Sequence, residues 1–371
     1  MSKGITWVGL DAHKSAINVA MRLPGQRNFV EWKVANEPRS LKRLAKKLVR
    51  QAPGEVRCCY EAGPCGYGLK RELEASASLV VEVVAPALIP RKPGERVKTD
   101  RRDARKLCEL LEAGLLTEVR APSTDEEAVR DLYRCRDDAR ADLLRHRHRA
   151  SKFLLCRAIR YTAGKKHWTR MHHQWLRGLR FDQPAAQAVF DSYLLSIEQT
   201  EERLKSLDEQ LEQAAQQESY REPVARLRCF RGIDTLTAMG VQAELFDFSR
   251  FSSPGQLTSF VGITPSEHSS GGKTHRGGIT KAGNSQVRRL LIEAAQHYRH
   301  RPTTSATLRK RREGQSAQVV AIAEKAQQRL HRRYHRLVAR GVAANKALVA
   351  VARELAGFLW AAMYQPSAEM A

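Results

Sequence analysis

Residues 4–34 run GITWVGLDAHKSAINVAMRLPGQRNFVEWKV, and three extended segments can be read in them. Ile5–Leu10 is a short apolar run, and Ala16–Leu23 and Asn28–Val34 follow it. Asp11–Ser15 separate the first two, and the turn formers Pro24 and Gly25 separate the second two. Connections this short join antiparallel strands, because a parallel return needs a crossover.

Downstream the apolar period alternates between that of a helix and that of a strand. A polar, Lys/Arg-rich helix is predicted over Ser40–Gln51, a strand over Val56–Tyr60 and a helix over Tyr67–Ala75. A strand at Leu79–Val84 and a helix from about Thr99 to Ala113 complete the series. Three strands, then helix-strand-helix-strand-helix, is the order of an α/β ribonuclease H-like (RuvC-like) domain, a mixed sheet covered by helices. Residues 1–120 are expected to form it.

The 371 residues carry 64 Lys+Arg against 40 Asp+Glu, a formal charge of +24. That excludes an ordinary acidic cytosolic enzyme, and a hydrophobic content of 42% excludes a disordered basic tail. A polyanion is the leading partner, either nucleic acid or an anionic membrane surface. The longest apolar stretches, Leu79–Ile89 and Ala347–Tyr364, are interrupted by Glu82 and by Arg353 and Glu354. Both fall short of the roughly 20 clean residues of a membrane span. The start has no apolar signal core, so the cytoplasm is the expected compartment. Seven cysteines without any Cys-x-x-Cys spacing are expected to be reduced and mostly buried.

Residues 121–222 contain no convincing strand and are read as a helical basic and coiled-coil segment. Phe190, Tyr193, Ile197, Thr200, Leu204, Leu207, Leu211 and Ala214 recur at alternating spacings of three and four, a heptad seam flanked mainly by acids. Such a helix should avoid phosphate, pack on another helix and support oligomerisation. Upstream the sign inverts: Arg145–Arg180 holds eleven Lys/Arg, five His and no acid. A second block, Arg301–Arg340, holds eleven Lys/Arg against Glu313 and Glu324. Residues 223–365 are expected to be a mainly α C-terminal domain with Gly/Ser/Thr-rich loops between 262 and 285, and 366–371 a tail.

Two constellations could carry chemistry. Asp11 and Glu61 stand at the ends of the first and fourth predicted strands, which lie side by side in such a sheet. Asp100 and Asp103, three apart, share one face of the helix that starts there. Four converging carboxylates require a divalent cation, and all-oxygen ligation favours Mg²⁺ or Mn²⁺. The simpler reading of Asp100 and Asp103 is that they complement a helix dipole. The second constellation is residues 262–284, GITPSEHSSGGKTHRGGITKAGN. Glu267 stands where a P-loop needs its first glycine, so nucleotide binding of that type is excluded. What remains is a basic loop with hydroxyl nucleophile candidates Ser266, Ser269 and Ser270, bases His268 and His275, and a helix starting near Asn284 or Ser285. Phosphate contacts are expected from Arg145, Arg147, Arg149, Lys152, Lys165 and Lys166 in the basic block and from Lys273, Arg276 and Lys281 in the loop. Phe230–Asp234 resembles one helix-hairpin-helix clamp, with Asp234 where glycine is usual; His146, His148, His172 and His173 receive no role.

VGLDAHK, YEAGPCG, KTDRRDARKL, FRGIDTLTAMG and the 262–284 stretch stand in the order found in DEDD-type insertion-sequence transposases, relatives of the Piv-type DNA invertases, and the chain resembles that family over nearly its whole length. The pattern is departed from at Pro64-Cys65, where a polar or small residue after the glycine is more usual. The resemblance implies a RuvC-like domain, a coiled coil used in assembly and a C-terminal transposase domain. It implies Asp11, Glu61, Asp100 and Asp103 as holders of Mg²⁺ and Ser270, or its neighbour Ser269, as the nucleophile on DNA phosphate. Implied partners are donor and target DNA, a structured guide (bridge) RNA and further copies of the chain as dimer or tetramer, with the protein associated with a bacterial nucleoid. Two other functions compete: a RuvC-like structure-specific nuclease, and a non-catalytic nucleic-acid scaffold.

Overall fold

The computed structural model describes residues 4–90, 99–267 and 276–364. The chain divides into two compact units, residues 1–123 and 124–371.

The first unit is built on a five-stranded sheet of β1 (Thr6–Ala12), β2 (Ala16–Arg22), β3 (Val30–Ala35), β4 (Val56–Glu61) and β5 (Val80–Val84), in the order β3-β2-β1-β4-β5. The first three strands are antiparallel neighbours, and β4 runs parallel to β1 and β5. This is the mixed sheet expected of a ribonuclease H-like domain. In the β1–β4 register Val8 faces Cys58 and Leu10 faces Tyr60. Alternation sends these residues to one face. There α1 (Pro38–Gln51) and α2 (Gly68–Ser76) cover them with Leu41, Leu44, Leu48, Leu69 and Leu73.

The other face carries Gly9, and α3 (Asp100–Glu112) lies directly on it. A Cβ at Gly9 would stand 2.0 Å from the Ala104 carbonyl oxygen and 2.5 Å from the Cys108 amide. Cys59 on the neighbouring strand packs with Leu107 and Leu111 of the same helix. β1 extends beyond the predicted Leu10, so Asp11 belongs to the strand itself.

The second unit opens with α4 (Thr124–Leu155), α5 (Arg170–Gly178) and α6 (Pro184–Ala214). The heptad seam is real as a buried stripe: Phe190, Ile197, Leu207, Leu211 and Ala214 are buried. It packs on Leu143, Ala150 and Leu154 of α4 and Leu176 of α5, so its partners lie in the same chain. The acids flanking the seam bridge to the same helices: Asp208 to Arg136 at 2.7 Å, Glu201 to Arg147 at 2.7 Å and Glu198 to Arg177 at 2.8 Å.

The remainder is helical: α7 (Glu218–Leu227), α8 (Thr235–Leu245), α9 (Pro254–Val261), α10 (Ser285–Ala295), α12 (Ala317–Ala339) and α13 (Ala344–Met363) contribute to one core containing Leu227, Phe230, Leu291, Leu330 and Leu355, and the short α11 (Ala306–Arg312) precedes α12. Within the stretch read as loops, β6 (Pro265–Glu267) and β7 (Arg276–Ile279) form an antiparallel hairpin. Segments this short, one of them Arg-Gly-Gly-Ile, show no apolar alternation by which a strand could be recognised.

Candidate active site

Asp11 lies one residue past the Leu10–Tyr60 pair, and Glu61 one residue past it on the parallel neighbour, so both acids leave the sheet at adjacent strand ends. Gly9, two residues before Asp11, is on the face that α3 covers, which brings the start of α3 to the same end. Arg101 and Arg105 both hold Glu31 of β3, Arg101 through Nε at 2.8 Å, and so tie the first turns of α3 across the sheet. These two guanidiniums lower the Glu31 carboxyl to about 2 through hydrogen bonds, against the opposing effect of burial. Thr99 caps α3 by accepting from the Arg102 amide, and Asp100 and Asp103 sit in its first turn, where they also complement the helix dipole.

Asp11, His13 and Asp100 converge, one ligand atom from each lying within 4.8 Å of the others. His13 Nε2 is 3.0 Å from Asp11 Oδ2 and 3.7 Å from Asp100 Oδ1. The Asp11 carboxyl is raised from its ordinary value chiefly by burial; the charges of Asp100 and Asp103 push it further, while His13 pulls it down. Burial and like charge both disfavour the ionised Asp11, and the oxygen and imidazole donors gathered here could hold a divalent cation.

Of the four acids read from the sequence, Asp11 and Asp100 therefore meet and Asp103 acts on Asp11 through its charge. Glu61 stands exposed at the neighbouring strand end and has no atom in the cluster. His13 takes a place in it that the sequence reading did not assign. The signal was the Asp11-x-His13 spacing, which puts two residues of an extended segment on one side. The loop carrying His13 is fixed by Asn36, whose side-chain amide donates to the His13 carbonyl at 2.8 Å. Cys65 at the departing Pro64-Cys65 position donates to the Ala12 carbonyl at 3.6 Å, so that residue supports the site's backbone.

Ser269, Ser270, His268, His275 and Lys273 lie outside the described residues. The frame that carries them is described. Gly262 at φ 71° and Gly283 at φ 84° bring the end of α9 and the loop before α10 so close that a Cβ would stand 1.9 Å from the Ala282 and Phe260 carbonyl oxygens respectively. Only glycine fits at these positions. Between them the Lys281 amide donates to Gly262 and the Asn284 amide to Phe260. Asn284 caps α10 through Val287 and donates to the buried Glu244, which also accepts two bonds from Arg134 at 2.7 and 3.0 Å. Ser266 packs against Gly277 at the neck of the hairpin. Lys281 is exposed on left-handed backbone at φ 56°, and Arg276 opens β7.

In the basic block, Arg145 pairs with Asp142, Arg147 with Glu201 and Arg177 with Glu198. Among the described residues no acid pairs with Arg149, Lys152, Arg160, Lys165, Lys166 or Arg170. No helix among the described residues is long and apolar enough to cross a membrane.

Two family models match the chain: a DEDD-type transposase model over residues 8–156, and one described as "Transposase IS116/IS110/IS902 family" over residues 224–309. A Sinorhizobium fredii protein named as a transposase, y4qE, is 41% identical over 357 residues, 96% of this chain and 87% of the relative. The transposase for insertion sequence element IS1533 of Leptospira borgpetersenii is 38% identical over 338 residues, 89% of this chain and 96% of the relative. A probable family 20 transposase of Pseudomonas aeruginosa is 25% identical over 270 residues, 69% of this chain. The matches bracket both the acidic cluster and the serine hairpin, and with them the chain belongs to the IS110-type family of insertion-sequence transposases.

Proposed function

We propose that this protein cuts and rejoins the DNA of an insertion sequence, using a metal-binding acidic cluster in the first unit and Ser270 on the hairpin loop of the second. The convergence of Asp11 and Asp100 at the end of the sheet, with the Asp11 carboxyl raised by burial and by neighbouring negative charge, carries the reading. Asp11, Asp100, Asp103 and Glu61 would hold Mg²⁺ or Mn²⁺, with His13 orienting Asp11 or joining the ligands. Such an ion neutralises charge on a transferring phosphate. The residues themselves present fixed carboxylates at a sheet end that α3, stapled by Glu31, cannot leave without losing its contacts.

The chemistry assigned to Ser270 is an exchange of esters. Its Oγ attacks phosphorus, a Ser–O–P ester forms, and a deoxyribose hydroxyl leaves with the proton. Attack by the hydroxyl of another strand reverses the step, so the energy of the broken bond is kept and no nucleotide triphosphate is needed. Ser269 is the alternative nucleophile. The excess of cations in the Arg145–Arg180 block supports a polynucleotide partner, read here as donor and target DNA together with a structured guide RNA. Assembly into dimers or tetramers belongs to the same proposal.

A cleavage reaction with Mg²⁺, resolved on denaturing gels, tests it. Protein covalently joined to DNA is expected, lost in Ser270→Ala and lost also in Asp11→Asn. Free 5′-phosphate ends without adduct would instead indicate the nuclease. Mg²⁺ or Mn²⁺ should also raise the melting temperature of the wild-type protein and leave that of Asp11→Asn unmoved. Sequencing the RNA that copurifies with the protein tests the guide.

A further inference from the structure

Beside α5 the second unit holds a cavity of about 350 Å³ with an unusual wall. Tyr161, His167, Trp168 and Trp175 present rings to it, and Leu155 and Ile159 close it. Buried His172 is the hub: its ring lies 4.8 Å from Tyr161, 4.9 Å from His167, 5.1 Å from Trp168 and 5.5 Å from Trp175. The Trp168 amide donates to His172 Nδ1 at 3.2 Å, which leaves the proton on Nε2 to point at His167 Nδ1, 3.3 Å away. The hub is thus a neutral imidazole with an assigned tautomer, and burial beside two other histidines holds its basicity down, to a pKa of about 4.

Trp168 and Trp175 pack against the neighbouring apolar group but are not covered by it. The apolar centre of the region is the neighbouring group of Leu154, Leu176 and Phe190. Tyr161, Trp168 and Trp175 are only half buried and His167 is exposed. Trp168 also sits at φ 60°, left-handed backbone that a bulky side chain rarely adopts and that is costly to maintain. Around these neutral rings cations predominate, the nearby Glu201 being held by Arg147 at 2.7 Å. Arg160 lines the cavity, Lys165 and Lys166 directly precede His167, Arg170 opens α5, and the Arg147 guanidinium lies 5.0 Å over the Trp168 ring. No acid is among the described lining residues.

We infer that this cavity takes an unpaired nucleobase, stacked on Trp168 and its neighbouring rings, from a strand whose phosphates lie on the surrounding Lys and Arg residues. The inference deepens the nucleic-acid part of the function proposed above and rests on it. Flat π-faces accept any base, a cationic rim tracks the backbone, and this pairing is how single-stranded segments of DNA and RNA are commonly held. An apolar protein side chain would fill the same hollow but would leave the cationic rim without a counterpart.

The test uses the full-length protein and a short single strand carrying one central 2-aminopurine, in DNA and RNA forms, beside the same strands with an abasic site there. Binding should quench 2-aminopurine emission. Trp168→Leu should weaken binding of the intact strand about 5- to 100-fold and leave the abasic strand unchanged. Arg149→Ala should weaken both alike. The larger intact-to-abasic ratio, in DNA or in RNA, identifies the source of the base. Equal loss on both strands in Trp168→Leu, or unaltered quenching, overturns the pocket while leaving the transposase reading in place; no binding of any strand overturns both. Should Trp168→Leu fail to fold, the wild-type preference for intact over abasic strand decides, a ratio of one overturning the pocket.

Discussion

Asp100 owes its place beside Asp11 to a residue with no side chain. At Gly9, the α3 backbone comes within 2.0 Å of where a Cβ would be, so any larger residue must lift the helix from β1. Gly9→Ala is expected to cost about 1–3 kcal/mol, as overpacking does, read as a lower melting temperature. At the proposed metal site it should also weaken Mg²⁺ binding by displacing Asp100, although it removes no proposed ligand. The Asp11, Asp100 and Asp103 positions were legible because strand ends and helix starts can be read from sequence. Glu31, far away in sequence on β3, was not, because its partners Arg101 and Arg105 are chosen by the folded sheet. His13 was visible as a spacing and unassigned as a role.

Elements differ in how much of their context the sequence contains. The alternation of apolar periods and the brevity of two connections were enough to find the five strands in chain order, since each signal is local; the adjacency of the first and fourth came from the fold class. The seam of α6 was equally plain, but its period identifies a buried face and says nothing of which helix buries it; α4 and α5 of the same chain do. The β6–β7 hairpin, held by glycines and backbone bonds instead of apolar side chains, left no periodic trace. At the start of α5, neutral His172 makes stability depend on pH. Its folded pKa of about 4 lies below the ordinary value near 6.5, so the unfolded chain takes up the proton first. Stability should be full above pH 6.5 and decline as pH falls toward 4. Thermal melts across this range should show that decline, and His172→Gln should flatten it.

For the molecule as a whole, +24 overstates what phosphate can use. Of the eleven cations in Arg145–Arg180, Arg145, Arg147 and Arg177 are already matched by acids on α4 and α6. If the eight others all met duplex phosphate, log K would fall against log salt with a slope of about −7. Lys152→Ala is expected to reduce that slope by about one, and Arg147→Ala to leave it nearly unchanged, as filter binding over a salt series will show. An equal effect of both would mean that the Arg147–Glu201 bridge opens when nucleic acid binds.

The boundary at Ser123 matters for genetics. Each buried apolar cluster belongs wholly to one side of it. A lesion such as Asp11→Asn therefore leaves the serine-bearing half correctly built, and Ser270→Ala leaves the acidic half intact. Under the proposed chemistry each such chain is inactive alone, and coexpressing the two is a complementation test. Recovery of transposition in that mixture would assign the acids and the serine of one working site to different copies, and its absence would assign them to one.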